Sequence, residues 1–197
     1  MSDESHGSER PGPAPELHFR AVTIRTLGDF ASFRQAHAAF GSCSCMRWRM
    51  RGEEFAHSPG RAHAHAFDSL VQTGTPVGIL AYVDNVPVGW CSVAPRETFP
   101  TLDARASIAA VDDARTWSVT CLYVEPRYRR QGIALRLLRA AVEYARAEGA
   151  HAVEGYPVQP GGRSPPHLGS ASMFRRAGFR DATPPGRKRR IMRNVVA

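Results

Sequence analysis

Membrane-spanning hydrophobic segments are absent from the sequence. Of its 197 residues, 43% are hydrophobic and 22% are charged, yet no apolar stretch approaches the roughly 18–20 residues that a transmembrane helix needs. The first sixteen residues have no hydrophobic stretch either and carry acidic residues and three prolines, which is unlike a signal peptide. We therefore expect a cytoplasmic protein with no membrane partner, made of a disordered leader over residues 1–16 and one domain over residues 17–197.

Lysine is almost missing, since Lys188 is the only lysine among 26 Lys and Arg residues. The formal net charge is still +8 at pH 7, which permits a nucleic acid or another polyphosphate as a partner. The sequence has no recognisable base-reading module, however, and the basic run Arg187–Arg190 precedes an apolar strand, where such charges are usually solvated. Nucleic-acid binding is therefore not expected.

Cysteine is scarce as well, with four residues and no export signal, so we expect reduced thiols rather than disulfides. Cys43 and Cys45 together with His63 and His65 offer an alternative, because Cys-x-Cys and His-x-His pairs can ligate zinc. The long separation of the two pairs and the alanine-rich surroundings of the histidines argue against a metal. Thiols that are buried or line a substrate pocket are the usual case, and no metal site is predicted.

Hydrophobic periodicity predicts an alternation of strands and helices. The predicted elements are a strand at Phe19–Ile24, a helix from Leu27 with Asp29 as N-cap, a helix over 62–73, a hairpin of Val77–Val83 and Val86–Val93, a strand at Trp117–Val124, a helix over 132–148, a strand at His151–Tyr156, a short helix at Ser170–Arg176 and a last strand within Arg187–Val196. This order predicts an α/β fold with a mixed sheet and one right-handed crossover.

The turn between Val124 and the helix over 132–148 favours an anion. A helix N-terminus leaves about four backbone amides unpaired and carries roughly half a positive charge. The small residues Gly132 and Ala134 let a phosphate approach that backbone, and the arginines within residues 127–130 add positive charge. Because the P-loop and dinucleotide-binding glycine motifs are both absent, the turn predicts a pyrophosphate ligand held in some other way.

The same turn carries a family resemblance. The motif Arg129-x-x-Gly132-x-Ala134 follows a strand that ends at Leu122–Pro126, precedes an amphipathic helix, and is followed downstream by Gly178-Phe179. This arrangement resembles the acyl-CoA-binding motif of the GNAT (Gcn5-related N-acetyltransferase) superfamily. The resemblance implies the GNAT fold, a mixed and mostly antiparallel sheet of about six or seven strands flanked by helices.

The resemblance also implies acetyl-CoA as co-substrate, bound mainly through backbone groups. The amides of Leu122 and Val124 would pair with the pantetheine arm and the acetyl carbonyl, and the amides from Arg130 to Leu135 would hold the pyrophosphate. The full set of implied coenzyme A-binding residues is Leu122, Tyr123, Val124, Arg129, Arg130, Gln131, Gly132, Ile133, Ala134, Leu135 and Ser172.

The catalytic side chains depart from the family pattern. In GNAT enzymes the acceptor amine attacks the thioester directly, so a base must deprotonate the ammonium and an acid must serve the leaving thiolate. Members often carry the base where this sequence has Ser118 and the acid where it has Phe174. We predict Glu154 as base and Tyr156 as acid instead, because they alternate on one face of a strand, with His167 near the thiol. The alternative is that Glu154 pairs with an arginine and that Tyr156 packs in the core.

The acceptor side is assigned from aromatic- and cysteine-rich segments that are similar to those of bacterial GNAT proteins of undefined substrate. The predicted lining residues are Cys43, Cys45, Trp48, Trp90, Ser118 and Thr120. Such segments favour an enclosed pocket, so we predict an N-acetyltransferase that acts on the primary amine of a small molecule, with homodimerisation left open. The alternatives are a transferase that uses another acyl donor and a catalytically silent acyl-CoA-binding sensor.

Overall fold

The computed structural model describes residues 16–37, 45–158 and 166–196. Residues 1–15 of the leader predicted over residues 1–16 therefore lie outside the described part of the chain. The strands are β1 (Leu17–Ala21), β2 (Ile79–Val83), β3 (Val86–Pro95), β4 (Thr116–Val124), β5 (Ala152–Gly155), β6 (Arg180–Asp181) and β7 (Met192–Val195). The helices are α1 (Leu27–Ala36), α2 (Gly52–His57), α3 (Gly60–Gln72), α4 (Pro100–Asp103), α5 (Ile133–Ala147) and α6 (Ala171–Arg176).

The strands form one sheet of seven strands within the described residues, in the order β1-β2-β3-β4-β5-β7-β6. Strands β4 and β5 pair in parallel, and the remaining neighbours pair antiparallel. Helix α5 is the crossover that a parallel pair requires. The predicted mixed, mostly antiparallel sheet of six or seven strands is confirmed.

The two faces of the sheet are covered by different helices because side chains alternate along each strand. In β2, Ile79 and Ala81 belong to the hydrophobic cluster on the α5 side. Leu80 and Tyr82 point the other way, into the cluster that contains Phe30 of α1 and residues of α3. The sheet thus lies between α5 and α6 on one face and α1 and α3 on the other.

Helix α5 is the best-defined element of the sequence. The predicted apolar stripe is buried, and it comprises Ile133, Leu137, Leu138, Ala141, Val142 and Ala145. Each large aliphatic side chain in such a stripe contributes about 1.5–3 kcal/mol by leaving water. The helix ends before Gly149, whose φ of +81° is the left-handed conformation that terminates helices. This stripe fixes the start of α5, and with it the turn that precedes the helix.

Several element ends differ from the sequence prediction. The first strand is Leu17–Ala21 rather than Phe19–Ile24, and Ile24 is 70% exposed. The N-cap of α1 is Thr26 rather than Asp29, because Asp29 accepts a hydrogen bond of 2.8 Å from the Tyr82 hydroxyl. The short elements α2, α4 and β6 were not predicted, since they are too brief to show periodicity. No helix in the described ranges has the length and apolar character needed to cross a membrane.

Candidate active site

Strands β4 and β5 separate halfway along β4. Their pairing runs from Thr116 with Ala152 to Val119 with Gly155 and stops there, although β4 continues to Val124. The other side of β4 stays paired with β3 as far as Val124. The second half of β4 therefore has one side that no described strand occupies, and a cavity of about 770 Å³ lies against it.

The backbone of this open half presents hydrogen-bonding groups to the cavity. The Glu125 amide donates to the Val88 carbonyl in β3 over 2.9 Å. Because backbone groups alternate from side to side along a strand, the amides of Val124 and Leu122 face away from β3. The Val124 carbonyl likewise accepts a bond of 2.8 Å from Arg129 Nε. The amides of Leu122 and Val124 are thus available to a ligand in the cavity.

The turn that follows β4 exposes the N-terminus of α5. Arg130 and Gly132 both have left-handed backbones, with φ of 62° and 77°, and a Cβ added to Gly132 would meet nothing within 4 Å. Gly132 is also the N-cap and offers no side chain to cap the helix. No side chain of the N-cap therefore pairs with the amides of the first helical turn, Ile133 and Ala134, which lie at the positive end of the helix dipole. The Leu135 amide differs, because it donates to the Gly132 carbonyl over 3.1 Å.

Many of the predicted site residues lie around this one cavity. Those that line it are Cys45, Trp48, Thr120, Leu122, Tyr123, Val124, Arg129, Ala134 and His167. Arg130 and Gln131 are exposed on the turn. Ser172 lies on α6, where its hydroxyl is 2.9 Å from that of Ser170, and it does not line the cavity. Cys43 lies outside the described residues.

Trp90 and Ser118 were predicted to line the acceptor side, but each is fully buried at 0% exposure. The indole Nε1 of Trp90 donates to Cys45 Sγ over 2.9 Å. Cys45 has an unusual φ of 58°, so Trp90 orients a lining residue rather than touching the cavity itself. Ser118 Oγ is 2.9 Å from the Tyr156 hydroxyl, and Ser118 does not line the cavity.

Glu154 and Tyr156 do share one strand face, but that face is turned into a buried polar network. Glu154 Oε2 lies 3.4 Å from Arg96 Nη1, and Oε1 lies 3.3 Å from Arg193 Nη1. The Tyr156 hydroxyl donates to Glu154 over 3.2 Å and accepts from Arg96 over 2.7 Å. Both side chains are 1% exposed, and neither lines the cavity. The geometry follows the alternative in which Glu154 pairs with arginine and Tyr156 packs.

Burial also sets the proton affinities of this network. Desolvation raises the pKa of Glu154, while Arg96 and Arg193 act in the opposite direction. The pKa of Tyr156 is raised for the same primary reason, and the nearby Glu154 charge adds to it. A phenol held in this way is a poor proton donor at neutral pH.

His167 is the lining group best suited to accept a proton. It follows β5 in the chain, in a short turn, Pro166–Leu168, and both His167 and Leu168 line the cavity. Partial burial lowers its pKa below the ordinary value of 6.5, because the imidazolium is poorly solvated there. The imidazole is therefore neutral at physiological pH, and no Asp or Glu of the described residues lines the cavity.

Two thiols face the cavity, from Cys45 and Cys121. Burial raises the pKa of Cys45 well above its ordinary value, and the neighbouring Cys121 thiol raises it further. Cys45 is therefore protonated and a weak nucleophile at neutral pH. The zinc alternative gains nothing from this arrangement, since no cluster of three metal-ligating side chains occurs among the described residues.

Several lining residues were not among the predicted site residues. They are Arg47, Phe55, Arg105, Cys121, Leu168, Gly169, Met173 and Arg189. Cys121 comes from β4, and the others come from loops and short helices far apart in the chain, so only the folded arrangement brings them together. Four of them stand next to a predicted residue in the sequence: Arg47 beside Trp48, Cys121 beside Thr120, Leu168 beside His167 and Met173 beside Ser172.

Comparison with known proteins gives the family. The sequence profile of the Acetyltransferase (GNAT) family matches residues 43–179, which is more than half of the 197 residues. This chain therefore belongs to the GNAT acetyltransferase family. No curated protein matches the sequence.

Solved structures share the fold at low sequence identity. A GNAT family N-acetyltransferase from Escherichia coli in complex with CoA is 16% identical with a TM-score of 0.54, and the match covers 96% of this chain and 86% of that one. The structure of yncA from Salmonella typhimurium with acetyl-CoA is 14% identical with a TM-score of 0.53, and the match covers 92% of this chain and 94% of that one. A GCN5-related N-acetyltransferase from Kribbella flavida is 13% identical with a TM-score of 0.51, and the match covers 85% of this chain but 33% of that one. At these identities the likeness establishes the GNAT fold alone.

Proposed function

We propose that this protein transfers an acetyl group from acetyl-CoA to the primary amine of a small molecule, by direct attack within a ternary complex. The observation that carries the proposal is the open half of β4, which leads from the end of the β4–β5 pairing at Val119 to the exposed N-terminus of α5. The pantetheine arm of coenzyme A is a slender chain with amide groups, and it leads to a diphosphate. The arm matches the open half of β4, and the diphosphate matches the N-terminus of α5. Membership of the GNAT family and two neighbours crystallised with CoA or acetyl-CoA support the same ligand.

The residues that would hold acetyl-CoA follow from the geometry. The amides of Leu122 and Val124 would pair with the pantetheine arm, and the amides of Ile133 and Ala134 at the helix N-terminus would bind the pyrophosphate. The open space over Gly132 admits the phosphate oxygens. When bound, acetyl-CoA supplies an activated acyl group, a thioester whose thiol leaves readily because its pKa is about 8.5.

The acceptor amine must be neutral to attack. We assign proton removal to His167, which is already uncharged at physiological pH and lines the cavity. The amine nitrogen forms the new C–N bond with the acyl carbon and the C–S bond breaks. The proton that the ammonium loses before attack passes to the imidazole and from there to solvent. The second nitrogen proton leaves as the amide forms and balances the proton that the thiolate takes up to become the free thiol. The protonated thiol of Cys45 argues against a route through an acylated cysteine.

The test is calorimetric titration with acetyl-CoA of the wild-type protein and of Gly132→Glu. The added carboxylate should abolish binding, because it places a negative charge where the pyrophosphate would lie. The matched control is Gly74→Glu, since Gly74 has almost the same φ, 76° against 77°, and equally open surroundings, but it follows the C-terminus of α3 and does not precede the N-terminus of α5. The control should bind normally. Equal binding by Gly132→Glu, or no binding by the wild-type protein, would overturn the proposal.

A catalytically silent acyl-CoA-binding protein is the second candidate. The family's usual base and acid positions hold Ser118 and Phe174, which are both buried, at 0% and 1% exposure, and the replacement candidate Glu154 is held by arginines. Saturable acetyl-CoA binding with no thiol release over a broad panel of amines would favour this candidate. Thiol release with any primary amine decides for the transferase.

A further inference from the structure

The walls of the cavity near the end of the β4–β5 pairing are cationic. Arg189 Nη2 lies 3.4 Å from the carbonyl of Tyr156, the residue that directly follows β5, so its guanidinium sits where the two strands begin to separate. Arg105 and Arg47 line the same cavity. Arg129 lies at the opposite end, beside Val124, which is about 16 Å further along β4 than Val119 at roughly 3.3 Å per residue.

These three arginines, Arg47, Arg105 and Arg189, have no acidic partner within the described ranges, and we call them the cavity arginines. Arg190, which follows Arg189 in the sequence, does have an acidic partner, because it pairs with Asp181 over 3.1 Å. Residues 38–44 and 159–165, which the structure does not describe, contain no Asp or Glu. The positive charge therefore faces the cavity without compensation from its walls.

The surroundings of Arg189 disfavour its positive charge. Desolvation lowers the pKa of Arg189, and the positive charge of Arg105 lowers it further. Both guanidinium groups lie over Trp48, with Cζ atoms 4.9 Å (Arg105) and 5.9 Å (Arg189) from the ring centroid. Stacking on an aromatic ring holds the flat guanidinium in place and leaves its N–H groups free to form hydrogen bonds. Two like charges fixed side by side on one ring form a favourable site for an anion.

From these contacts we infer that the acceptor is an anionic amine, a small molecule that carries a carboxylate or phosphate group beside its primary amine. This inference rests on the proposed function and names its substrate class. The anionic group binds Arg105 and Arg189 over Trp48, in the bidentate manner that guanidinium groups favour. The amine then points toward the thioester and His167.

The same charges assist the chemistry. Three arginines carry more positive charge than one carboxylate or phosphate neutralises. The remaining positive charge lowers the pKa of the acceptor's ammonium group, because it disfavours the protonated form. The cavity arginines thus bind the anionic end of the acceptor and make its amine easier to deprotonate. A polyamine or another acceptor with several positive charges would be repelled from the same cavity.

The experiment compares matched acceptors by thiol release at saturating acetyl-CoA. Amino acids are paired with their carboxamides, and aminoalkyl phosphates with the corresponding amino alcohols; polyamines complete the panel. The amino acid pairs test whether the acceptor needs a carboxylate, and the aminoalkyl phosphate pairs test whether it needs a phosphate. We expect turnover of the anionic member of at least one pair, with kcat/KM at least about tenfold above its neutral partner, as the loss of one charged hydrogen bond predicts. Preference for neutral or polycationic amines overturns the inference and leaves the transferase proposal intact.

Substitution of single arginines tests which side chains cause the preference for anionic acceptors. Arg105→Gln and Arg189→Gln should each lower kcat/KM for the anionic acceptor by about tenfold to a hundredfold, with the KM for acetyl-CoA unchanged. Arg190→Gln is the matched control, because it removes an adjacent charge that is already paired with Asp181. A raised KM for acetyl-CoA in the first two variants would mean that the cavity arginines bind the phosphates of CoA, and the inference would be wrong.

A binding measurement covers the case in which no member of the panel is acetylated. The CoA-bound protein is titrated with inorganic phosphate and with acetate by calorimetry. Saturable binding that weakens about tenfold in Arg189→Gln and not in Arg190→Gln supports the inference. If neither anion binds at millimolar concentration, the inference falls, whereas failure of CoA itself to bind would refute the proposed function instead.

Discussion

Replacing Gly155 with alanine should destabilise the protein through a single steric contact. A Cβ at this position would lie 2.1 Å from Cε1 and 2.4 Å from Cζ of Phe174, far inside van der Waals contact. The backbone cannot retreat, since β5 pairs on both sides, with Val119 of β4 and Met192 of β7. The ring cannot retreat either, because Phe174 is 1% exposed and packs edge-on against Phe179 with centroids 5.0 Å apart.

The magnitude follows from this confinement. Overpacking a core by one methyl group costs about 1–3 kcal/mol, and we expect the upper end because neither partner can move. For a chain of this size, about 3 kcal/mol corresponds to a fall in Tm of roughly 6–12 °C. Urea denaturation followed by tryptophan fluorescence measures the free energy of unfolding directly.

A double-mutant cycle identifies the contact. Phe174→Leu leaves room for the new methyl group, so Gly155→Ala combined with Phe174→Leu should be less destabilised than the sum of the single variants by about 1–3 kcal/mol. Gly28→Ala is the matched control, since a Cβ there meets nothing within 4 Å and alanine favours a helix by up to about 1 kcal/mol. Wild-type stability for Gly155→Ala, or strict additivity in the cycle, would refute the reasoning.

Four further outcomes are expected. Glu154→Gln should retain turnover at saturating substrates, because the carboxylate does not line the cavity; a loss of about a hundredfold, typical of a missing general base, would contradict this. Burial raises the pKa of Glu154. The contribution of Glu154 to the free energy of unfolding should therefore fall as the pH rises from the ordinary pKa of about 4.3 through the raised pKa. Measurement of unfolding across pH should show that this dependence is absent in Glu154→Gln. In the pH profile of kcat/KM, His167→Gln should remove an acidic limb lying below about 6.5, and an unchanged limb would exclude the imidazole. Cys45→Ser and Cys121→Ser should both still release CoA, and loss of all turnover in a folded variant would point to a thiol in the mechanism.

The sequence alone predicts those elements whose hydrophobic pattern or turn motif lies within a short stretch of the chain. The apolar stripe of α5, the strand at Trp117–Val124 and the glycine turn between them are encoded in about thirty consecutive residues, and the family resemblance depends on that stretch. The Asp84-Asn85 turn of the hairpin is equally local, since both residues adopt positive φ, 48° and 63°.

The candidate site was less predictable because its side chains are brought together by the fold. Alternation correctly placed Glu154 and Tyr156 on one face, but it did not say which face. The partners Arg96 and Arg193 are 58 and 39 residues away from Glu154 in sequence. Nothing in a chain with 26 Lys and Arg residues distinguishes an arginine that lines a cavity from one on the surface.

The separation of β4 from β5 creates strand edges in the interior of a sheet. A free edge normally invites a strand from another molecule, and proteins protect such edges to avoid aggregation. Here the turn at Pro166–Leu168 contributes His167 and Leu168 to the lining of the cavity beside β4, and Arg129 donates a hydrogen bond to the carbonyl of Val124. An unbranched chain with amide groups, such as the pantetheine arm proposed above, can lie along the edge of β4 that remains. A ligand of that shape completes the hydrogen bonding of the sheet in place of a strand, so its binding should slow amide hydrogen exchange most strongly at Leu122 and Val124.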